Sequence, residues 1–286
     1  MSIEVVNATY IYMPGTPFEL KALDGVSLRI EDGEFVGLIG HTGSGKSTLA
    51  QHFNALLKPS LGSVYVNALN LNDKDTSLKQ VRREVGLVFQ YPEYQLFEET
   101  VRKDIAFGPA NLGLSEEQIE ARVLEAAQIV GIPEDMLDKS PFELSGGQKR
   151  RVAIAGVIAM RPQVLVLDEP AAGLDPRGRT EMLEMVRNYH ARGGVTVIMV
   201  SHSMDDVARL CSRIIVMNRG VVALDGTPRE VFAHGDELKA MGLGVPACAE
   251  LSNRLRQKGF CIPDGVFSPD ELAEAIRNNL KGDCHA

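Results

Sequence analysis

The sequence of 286 residues predicts an α/β fold, because short apolar runs typical of buried strands alternate with stretches of helical character. Two of these runs, 35–39 and 164–167, contain no polar side chain, which suits strands covered on both faces of a parallel sheet. Both are followed by glycine, hydroxyl or acidic residues, and ligand groups usually lie at the carboxyl ends of such strands. The sequence therefore predicts an α/β core with a ligand site at one edge of its sheet.

The composition is ordinary for a globular protein and argues against a nucleic-acid partner. Hydrophobic residues make up 44% of the chain, charged residues 24%, and the formal net charge is -8. Contacts to DNA or RNA phosphates need clustered Lys and Arg, so nucleic acid is not expected to bind. No apolar run approaches the roughly 20 residues of a membrane-spanning helix. Residues 1–4 lack signal-peptide character, so we expect a cytosolic protein that reaches a membrane only through a partner.

The first third of the chain is expected to contain strands and one helix. Strands are predicted at Ile3–Tyr12 and Val26–Ile30, with a proline- and glycine-containing loop between them. The buried strand Phe35–Ile39 follows, and after the glycine-rich loop we expect a helix over Thr48–Lys58 that Pro59 stops. A buried strand, a glycine-rich loop and a helix in this order are typical of phosphate-binding sites.

The middle of the chain reads as a mostly helical insertion, at about 91–163, after a strand at Val85–Phe89. Ser115 and Gln118 form a capping box at the start of one of its helices. The core is then expected to resume with the strand 164–169 and a helix that opens at Pro176. The remaining core strands are predicted at Val195–Val200, Arg213–Met217 and Val221–Leu224, the last two as a hairpin.

The end of the chain is expected to form an appended helical module. One helix is predicted over Ala247–Lys258, and a second begins at Ser268 and runs to about Leu280. We therefore divide the chain into a main domain, 1–235, and a C-terminal helical module, 236–286.

The loop after the first buried strand carries the residues of a phosphate-binding loop, called the P-loop below. Its glycines let backbone N–H groups converge on phosphate oxygens, and the helix behind it adds the positive end of its dipole. Lys46 supplies a cation for the β- and γ-phosphates, and the Ser47 hydroxyl can ligate Mg²⁺. The expected nucleotide contacts are Gly40, His41, Thr42, Gly43, Ser44, Gly45, Lys46, Ser47 and Thr48.

Two carboxylates end the second buried strand, and they suit metal binding and general-base chemistry. Asp168 fits a Mg²⁺ ligand, and Glu169 fits the base that polarises an attacking water. Two acids can also simply end a strand where solvent begins. The apolar strand before them and the P-loop upstream favour the functional interpretation.

A second glycine-rich turn, Leu144–Gln148, precedes a helix expected over 148–160 and is called the signature turn below. Ser145, Gly146, Gly147 and Gln148 would place a hydroxyl and exposed N–H groups at a helix N-terminus, which is an anion site. An ordinary N-cap turn is the alternative. One nucleotide cannot easily use both anion sites of the same chain, and spacing alone leaves this question open.

The ordered set of P-loop, signature turn and Asp168-Glu169 resembles the ATPase subunits of ABC transporters over residues 3–232. The resemblance implies a P-loop NTPase core with an antiparallel β subdomain and a helical subdomain. It also implies that the signature turn of one subunit closes over MgATP held by the P-loop of another. By position, Gln90 matches the loop glutamine that senses the γ-phosphate and connects to the transport domain. The expected Mg²⁺ ligands are Ser47, Gln90 and Asp168. Asp175 matches the loop that communicates across the dimer, His202 the histidine at the γ-phosphate, and Tyr12, more than Tyr10, the aromatic residue stacked on adenine.

Two segments, 12–19 and 90–97, resemble those of energy-coupling factor (ECF) importers, most closely the second of their two ATPases. This implies pairing with a related ATPase, with a homodimer as the alternative. It also implies a transmembrane coupling protein whose arginine-bearing helices dock beside Glu93, and a substrate-binding membrane subunit for vitamins or metal ions. The chain would then lie at the cytoplasmic face of the cell membrane as a peripheral protein, with the module 236–286 holding the dimer together.

Two other functions remain open from the sequence. A conventional ABC importer ATPase would work with a periplasmic binding protein, and segments 12–19 and 90–97 count against it. A soluble ABC ATPase acting on ribosomes or DNA usually has two cassettes or a long coiled coil, which this sequence lacks. The transported solute is not encoded in this chain, because a different polypeptide selects it.

Overall fold

The computed structural model describes residues 3–280 of the chain. Residues 1–2 and 281–286, including the last six positions of the predicted C-terminal module, lie outside the described part. Within it the strands, in chain order, are β1 Ile3–Tyr12, β2 Leu20–Ile30, β3 Phe35–Ile39, β4 Leu61–Val66, β5 Leu69–Asn70, β6 Val85–Val88, β7 Val164–Asp168, β8 Thr196–Val200, β9 Arg213–Asn218 and β10 Val221–Gly226.

The helices lie mainly in the middle and at the end of the chain. In chain order they are α1 Lys46–Phe53, α2 Leu78–Glu84, α3 Val101–Asn111, α4 Glu116–Val130, α5 Gly146–Ile158, α6 Pro176–Gly193, α7 Met204–Leu210, α8 Pro228–Ala233, α9 Gly235–Ala240, α10 Ala247–Gln257 and α11 Pro269–Leu280. Short 3₁₀ turns occupy Pro92–Gln95, Glu134–Met136 and Pro141–Glu143. No helix within residues 3–280 is long and apolar enough to cross a membrane.

The strands form two sheets. One is antiparallel with the order β2-β1-β4-β5, and the other has the order β10-β9-β3-β8-β7-β6. In the larger sheet all neighbouring strands are parallel except β9 and β10, which pair as the predicted hairpin. The carboxyl ends of β3, β8, β7 and β6 therefore meet at one edge of this sheet.

Side chains along the larger sheet alternate between two hydrophobic cores. Leu165 and Leu167 face the core that includes α4, α5, α6 and α7, whereas Val164 and Val166 face the core shared with the antiparallel sheet and α1. Covering both faces explains why the sequence of these strands contains no polar residue. The sheet is thus fixed from both sides, so the edge that carries the functional residues has a rigid support.

Local capping chemistry positions the helices of the insertion. In α4 the Ser115 hydroxyl accepts from Gln118 N at 3.3 Å, and Ser115 N donates to Gln118 Oε1 at 3.1 Å. This is the capping box expected from the sequence. Gly131 ends the helix with a φ of 71°, a left-handed conformation that glycine adopts without steric cost.

The largest differences from the sequence predictions are two boundaries and one unassigned segment. Helix α1 ends at Phe53 rather than at Lys58, because Ala55 turns left-handed and the N–H groups of Leu56 and Leu57 both donate to Gln51 O. Strand β2 begins at Leu20, six residues before the predicted start, because it pairs along the whole of β1. The segment 61–84, to which the sequence analysis assigned no element, contains β4, β5 and α2.

The C-terminal helices α10 and α11 form where the sequence predicts them and share a small core. Its buried members are Ile262, Val266 and Leu272. Helix α11 starts at the expected cap, since Glu271 accepts from Ser268 N at 3.1 Å and donates its own N–H to Ser268 Oγ at 3.2 Å. This core is separate from the two large cores of the sheets.

Candidate functional site

Residues expected to bind nucleotide follow four neighbouring parallel strands at the same edge. The P-loop follows β3, His202 lies just beyond β8, Asp168 and Glu169 end β7, and Gln90 lies two residues beyond β6. Sequence positions as far apart as 40 and 202 are brought together because β3 lies between β9 and β8. The sheet order thus assembles one candidate site from motifs that are dispersed in the sequence.

Two P-loop glycines are required by close backbone contacts. A Cβ on Gly40 would lie 2.3 Å from Met217 O and 2.4 Å from Ser44 Oγ. A Cβ on Gly45, whose φ is 101°, would lie 2.6 Å from Ala22 O. The loop therefore packs too tightly against β9 and β2 for any side chain at these positions.

Lys46 lies folded over its own loop. Its Nζ donates to Gly40 O at 2.7 Å and to His41 O at 2.9 Å. Burial lowers the pKa of this ammonium, and the nearby carboxylates of Glu169 and Asp168 oppose that shift. A partly desolvated cation beside exposed loop N–H groups is suited to bind an anionic phosphate.

Asp168 is a half-buried carboxylate with little compensation for its charge. Burial raises its pKa, while a hydrogen bond from Ser47 and the charge of Lys46 act in the opposite direction. Glu169 adds a second negative charge and raises the pKa further. Two adjacent carboxylates next to a serine hydroxyl supply hard oxygen ligands, which fits the requirements of Mg²⁺.

Glu169 is held in a strained backbone conformation and contacts His202. Its φ is 52°, which is unusual for a residue with a long side chain. Its Oε2 lies 2.7 Å from His202 Nδ1, so the protonated ring nitrogen donates to the carboxylate. Glu169 is only 18% exposed, whereas His202 is 69% exposed and free to contact a ligand. The pair has the arrangement of a positioned base with an orienting partner.

Tyr12 lies beside the P-loop helix. Its hydroxyl is 3.2 Å from Thr48 Oγ1, and its ring packs edge-on against Tyr10. Tyr10 in turn contacts the ring of buried His52, whose Nδ1 lies 2.7 Å from Thr48 O. The hydrogen bond fixes Tyr12 next to α1, where an aromatic residue can meet the base of a nucleotide held by the P-loop.

The signature turn forms a complete capping box. Ser145 Oγ accepts from Gln148 N at 3.4 Å, and Ser145 N donates to Gln148 Oε1 at 2.9 Å. The helix begins at Gly146 rather than at 148. A Cβ on Gly146 or Gly147 would meet no atom within 4 Å, and neither residue has a positive φ. Nothing in this chain's own packing therefore requires glycine at these two positions, although glycine weakens a helix.

Asp175 and Gln90 differ in how they are held. Asp175 caps α6, since its Oδ1 accepts from Gly178 N at 2.8 Å. Gln90 is exposed beyond the end of β6. The segment after it presents two aromatic residues at the surface, Tyr94, which is 85% exposed, and Phe97, which is 59% exposed.

Glu93, beside which the resemblance implies that a coupling protein docks, is paired within this chain. It forms a two-pronged ion pair with Arg150 of α5, whose side chain is 3% exposed. Arg150 is not recognisable from the sequence, because nothing in the run Lys149-Arg150-Arg151 distinguishes a buried arginine from a solvated one. Only the packing of α5 against the Pro92–Gln95 turn shows the difference.

Comparisons with known proteins show the family of the chain. A family model described as ABC transporter matches residues 23–172, more than half of the chain. The energy-coupling factor transporter ATP-binding protein EcfA2 of Caldanaerobacter subterraneus subsp. tengcongensis is 57% identical over 282 residues, covering 99% of both chains. The protein of the same name from Clostridioides difficile is 56% identical over 284 residues, also covering 99% of both.

Solved structures share the fold. CbiO1 from Clostridium perfringens, part of the ABC transporter complex CbiONQ, superposes with a TM-score of 0.74 at 38% identity, covering 90% of this chain and 96% of that one. The dimeric ATP-binding cassette MJ0796 bound to ADP and Pi gives a TM-score of 0.70 at 31% identity, covering 79% and 98%. The predicted ABC ATPase fold and the predicted ECF relationship are both confirmed. The chain belongs to the ABC transporter family and, within it, to the ATP-binding proteins of energy-coupling factor transporters.

Proposed function

We propose that this chain is the ATP-hydrolysing subunit that energises an ECF importer for vitamins or metal ions, and that it works as half of an ATPase dimer. We infer the dimer from the open surface at Gly146 and Gly147. Two glycines that the chain's own fold does not need suit a surface that another molecule approaches closely. In this proposal the approaching molecule is ATP bound to the P-loop of the second subunit.

The P-loop residues 40–48 bind the phosphates of ATP, and Tyr12 stacks on the adenine. The signature residues Ser145 to Gln148 and Asp175 complete the site of the second subunit. Ser47, Asp168 and Gln90 are the residues that would hold Mg²⁺, and their fit rests on the donor set, since a hydroxyl hydrogen-bonded to a carboxylate and a nearby amide supply hard oxygen ligands. When bound, Mg²⁺ neutralises phosphate charge.

Glu169 acts as the general base, with His202 and Gln90 completing the catalytic set. The Glu169 carboxylate accepts a proton from the attacking water, and its hydrogen bond to His202 Nδ1–H keeps it oriented. This bond leaves Nε2 of the His202 ring facing outward, where it donates to the γ-phosphate when the ring carries a proton on both nitrogens. When ATP binds, Lys46 gives up its hydrogen bonds to the Gly40 and His41 carbonyls and pairs with the phosphates. Its ammonium then contacts full negative charges in place of two carbonyl dipoles.

The exposed aromatic residues of 90–97 suit a docking surface for the transmembrane coupling protein, which joins a separate substrate-binding membrane subunit. Tyr94 and Phe97 are large apolar side chains at the surface, beside the γ-phosphate-sensing Gln90. The second ATPase is a related chain or, alternatively, a second copy. The module 236–286 holds the pair together, and the assembly lies at the cytoplasmic face of the cell membrane.

Affinity purification from membranes tests this function. We expect the tagged chain to retain a second ATPase and two membrane proteins, one of which binds a vitamin or a metal ion. Recovery of a soluble periplasmic binding protein would indicate a conventional ABC importer instead. Recovery of ribosomes or DNA at physiological salt, without membrane subunits, would refute the transport function.

A further inference from the structure

Arg150 joins three segments that lie far apart in the sequence. It belongs to α5, one turn beyond the signature turn, and its guanidinium contacts both the Pro92–Gln95 turn and the segment that follows Glu169. With a side chain that is 3% exposed, it is among the few buried charged residues described in the chain. A charge buried to this extent must be fully paired, and its partners therefore define its role.

The first connection runs to the segment 90–97. Arg150 Nε donates to Glu93 Oε2 at 2.9 Å, and Nη2 donates to Glu93 Oε1 at 2.7 Å. Burial acts to raise the pKa of Glu93, but the hydrogen bonds and charge of Arg150 outweigh it, and the pKa is lowered. The guanidinium carbon also lies 5.9 Å from the centre of the Tyr91 ring. A guanidinium and a carboxylate joined by two parallel hydrogen bonds have a single favourable orientation. The pair therefore fixes the position and orientation of this segment relative to α5.

The second connection runs to the segment 170–174. Arg150 Nη1 donates to Pro170 O at 3.3 Å and to Ala172 O at 2.5 Å. This segment is a tight turn, since Ala172 N donates to Glu169 O at 3.1 Å and Leu174 N to Ala171 O at 3.4 Å. A displacement at Pro170 or Ala172 therefore reaches Glu169 on one side and Asp175 on the other.

A third contact closes the set. A Cβ built on Gly173 would lie 3.9 Å from Tyr91 Cε1, so the segments 90–97 and 170–174 also lie next to each other. Only arginine has five N–H donors in one plane, enough to hold a carboxylate with one edge and two carbonyls with the other. The neighbouring Arg151 is built differently, because it contacts Val130 O and Glu181 and reaches neither segment.

We propose that Arg150 is a positioning residue that makes the segment 90–97, the signature turn and the segment 170–175 move as one unit. This deepens the proposed function, because it names the side chain through which a membrane subunit seated on 90–97 senses the state of Glu169. Arg150 touches neither nucleotide nor water in this mechanism. It acts through Glu93, Pro170 and Ala172.

Kinetics of the purified ATPase assembly provide the first test. Arg150→Gln should lower kcat at least tenfold while the KM for ATP stays within twofold, because the P-loop is untouched. Glu93→Gln breaks only the connection to 90–97 and should also lower kcat. The double variant should be no worse than Arg150→Gln alone, since Arg150→Gln already removes the Glu93 connection. Arg150→Lys keeps the charge and should recover part of the loss. The matched control, Arg151→Gln, should keep kcat within twofold.

Hydrogen exchange on the same assembly separates coupling from simple support. The readout is the part 92–97, which excludes Gln90, since that residue would meet MgATP directly. In the wild type, MgATP should change the protection of both 92–97 and 170–175. In Arg150→Gln, the segment 170–175 should still respond, whereas 92–97 should not. If 92–97 responds as in the wild type, or if Arg151→Gln removes the response equally, the proposal is wrong.

Two further outcomes, a variant that does not assemble and a purification without membrane subunits, also have defined interpretations. If Arg150→Gln does not assemble, Arg150→Lys provides the same measurements with the charge retained, and a wild-type exchange response and kcat in that variant would overturn the proposal. The measurements need only the ATPase assembly and MgATP. An absence of membrane subunits in the purification would therefore refute the proposed function without affecting this result.

Discussion

Replacing Glu169 by glutamine should separate catalysis from stability and from nucleotide binding. The side chain loses its charge and basicity but keeps its shape, so a lost general base should lower kcat by about 10²–10⁴-fold. Each tenfold loss corresponds to about 1.4 kcal/mol, so the transition state loses roughly 2.7–5.5 kcal/mol.

The folded state should change much less. The partner of Glu169 is His202, which is 69% exposed, and an ion pair or hydrogen bond in that setting contributes at most about 1 kcal/mol. The left-handed φ of 52° at position 169 is present in both proteins, and its cost of about 1–2 kcal/mol is therefore unchanged. We expect the free energy of unfolding to change by less than about 1 kcal/mol.

Phosphate release, nucleotide binding and thermal unfolding measured on the same preparations test these numbers. Glu184→Gln is the matched control, because it removes the same charge from an exposed position on α6. Hydrolysis by Glu169→Gln within threefold of the wild type would refute the assignment. So would a loss of ATP binding, since the carboxylate would then have another role.

Three further predictions concern the neighbouring residues. Because burial raises the pKa of Asp168, the folded state holds that proton more tightly, and the ionised group costs stability above its folded pKa. Asp168→Asn should therefore raise the Tm of the nucleotide-free protein at pH 7.5, and this gain should shrink as the pH falls toward about 4. An equal gain in Tm at all pH values would contradict this reasoning. The same variant should abolish hydrolysis. Tyr12→Ala should weaken ATP binding by about 1–3 kcal/mol if the ring stacks on adenine, measured by titration calorimetry, whereas Tyr12→Phe and Tyr10→Phe should bind nearly normally. Gly40→Ala should destabilise the fold by about 1–3 kcal/mol and weaken ATP binding, because its Cβ would overlap Met217 O. Gly146→Ala should instead fold normally and lose activity only in the dimer.

Much of the fold is predictable because local signals agree with it. The strand Phe35–Ile39, the capping boxes at Ser115 and Ser268 and the hairpin after Asn218 all form where the sequence places them. Each depends on residues within a few positions, so no tertiary information is needed. The identity of the family followed from the order of the motifs, and the comparisons confirm it.

The errors in the predicted fold arise where backbone geometry or strand pairing outweighs the signal of single residues. The predicted end of α1 rested on Pro59, but the helix ends five residues earlier, because Ala55 turns left-handed and the N–H groups of Leu56 and Leu57 donate to Gln51 O. The strand β5 has only two residues and gives almost no periodic signal. The start of β2 is set by pairing with β1, which adds residues whose own sequence resembles a loop.

The sequence by itself determined which chemical groups are available: a P-loop with its lysine, two carboxylates after an apolar strand, and a second glycine-rich helix start. These are short motifs whose meaning is carried by adjacent residues. Only the tertiary structure decided how they meet, because the strand order places residues 40, 90, 168 and 202 at one edge. It also decided that Glu93 is already paired with Arg150 and that the Gly146–Gly147 surface is open, since burial and packing depend on contacts between distant segments.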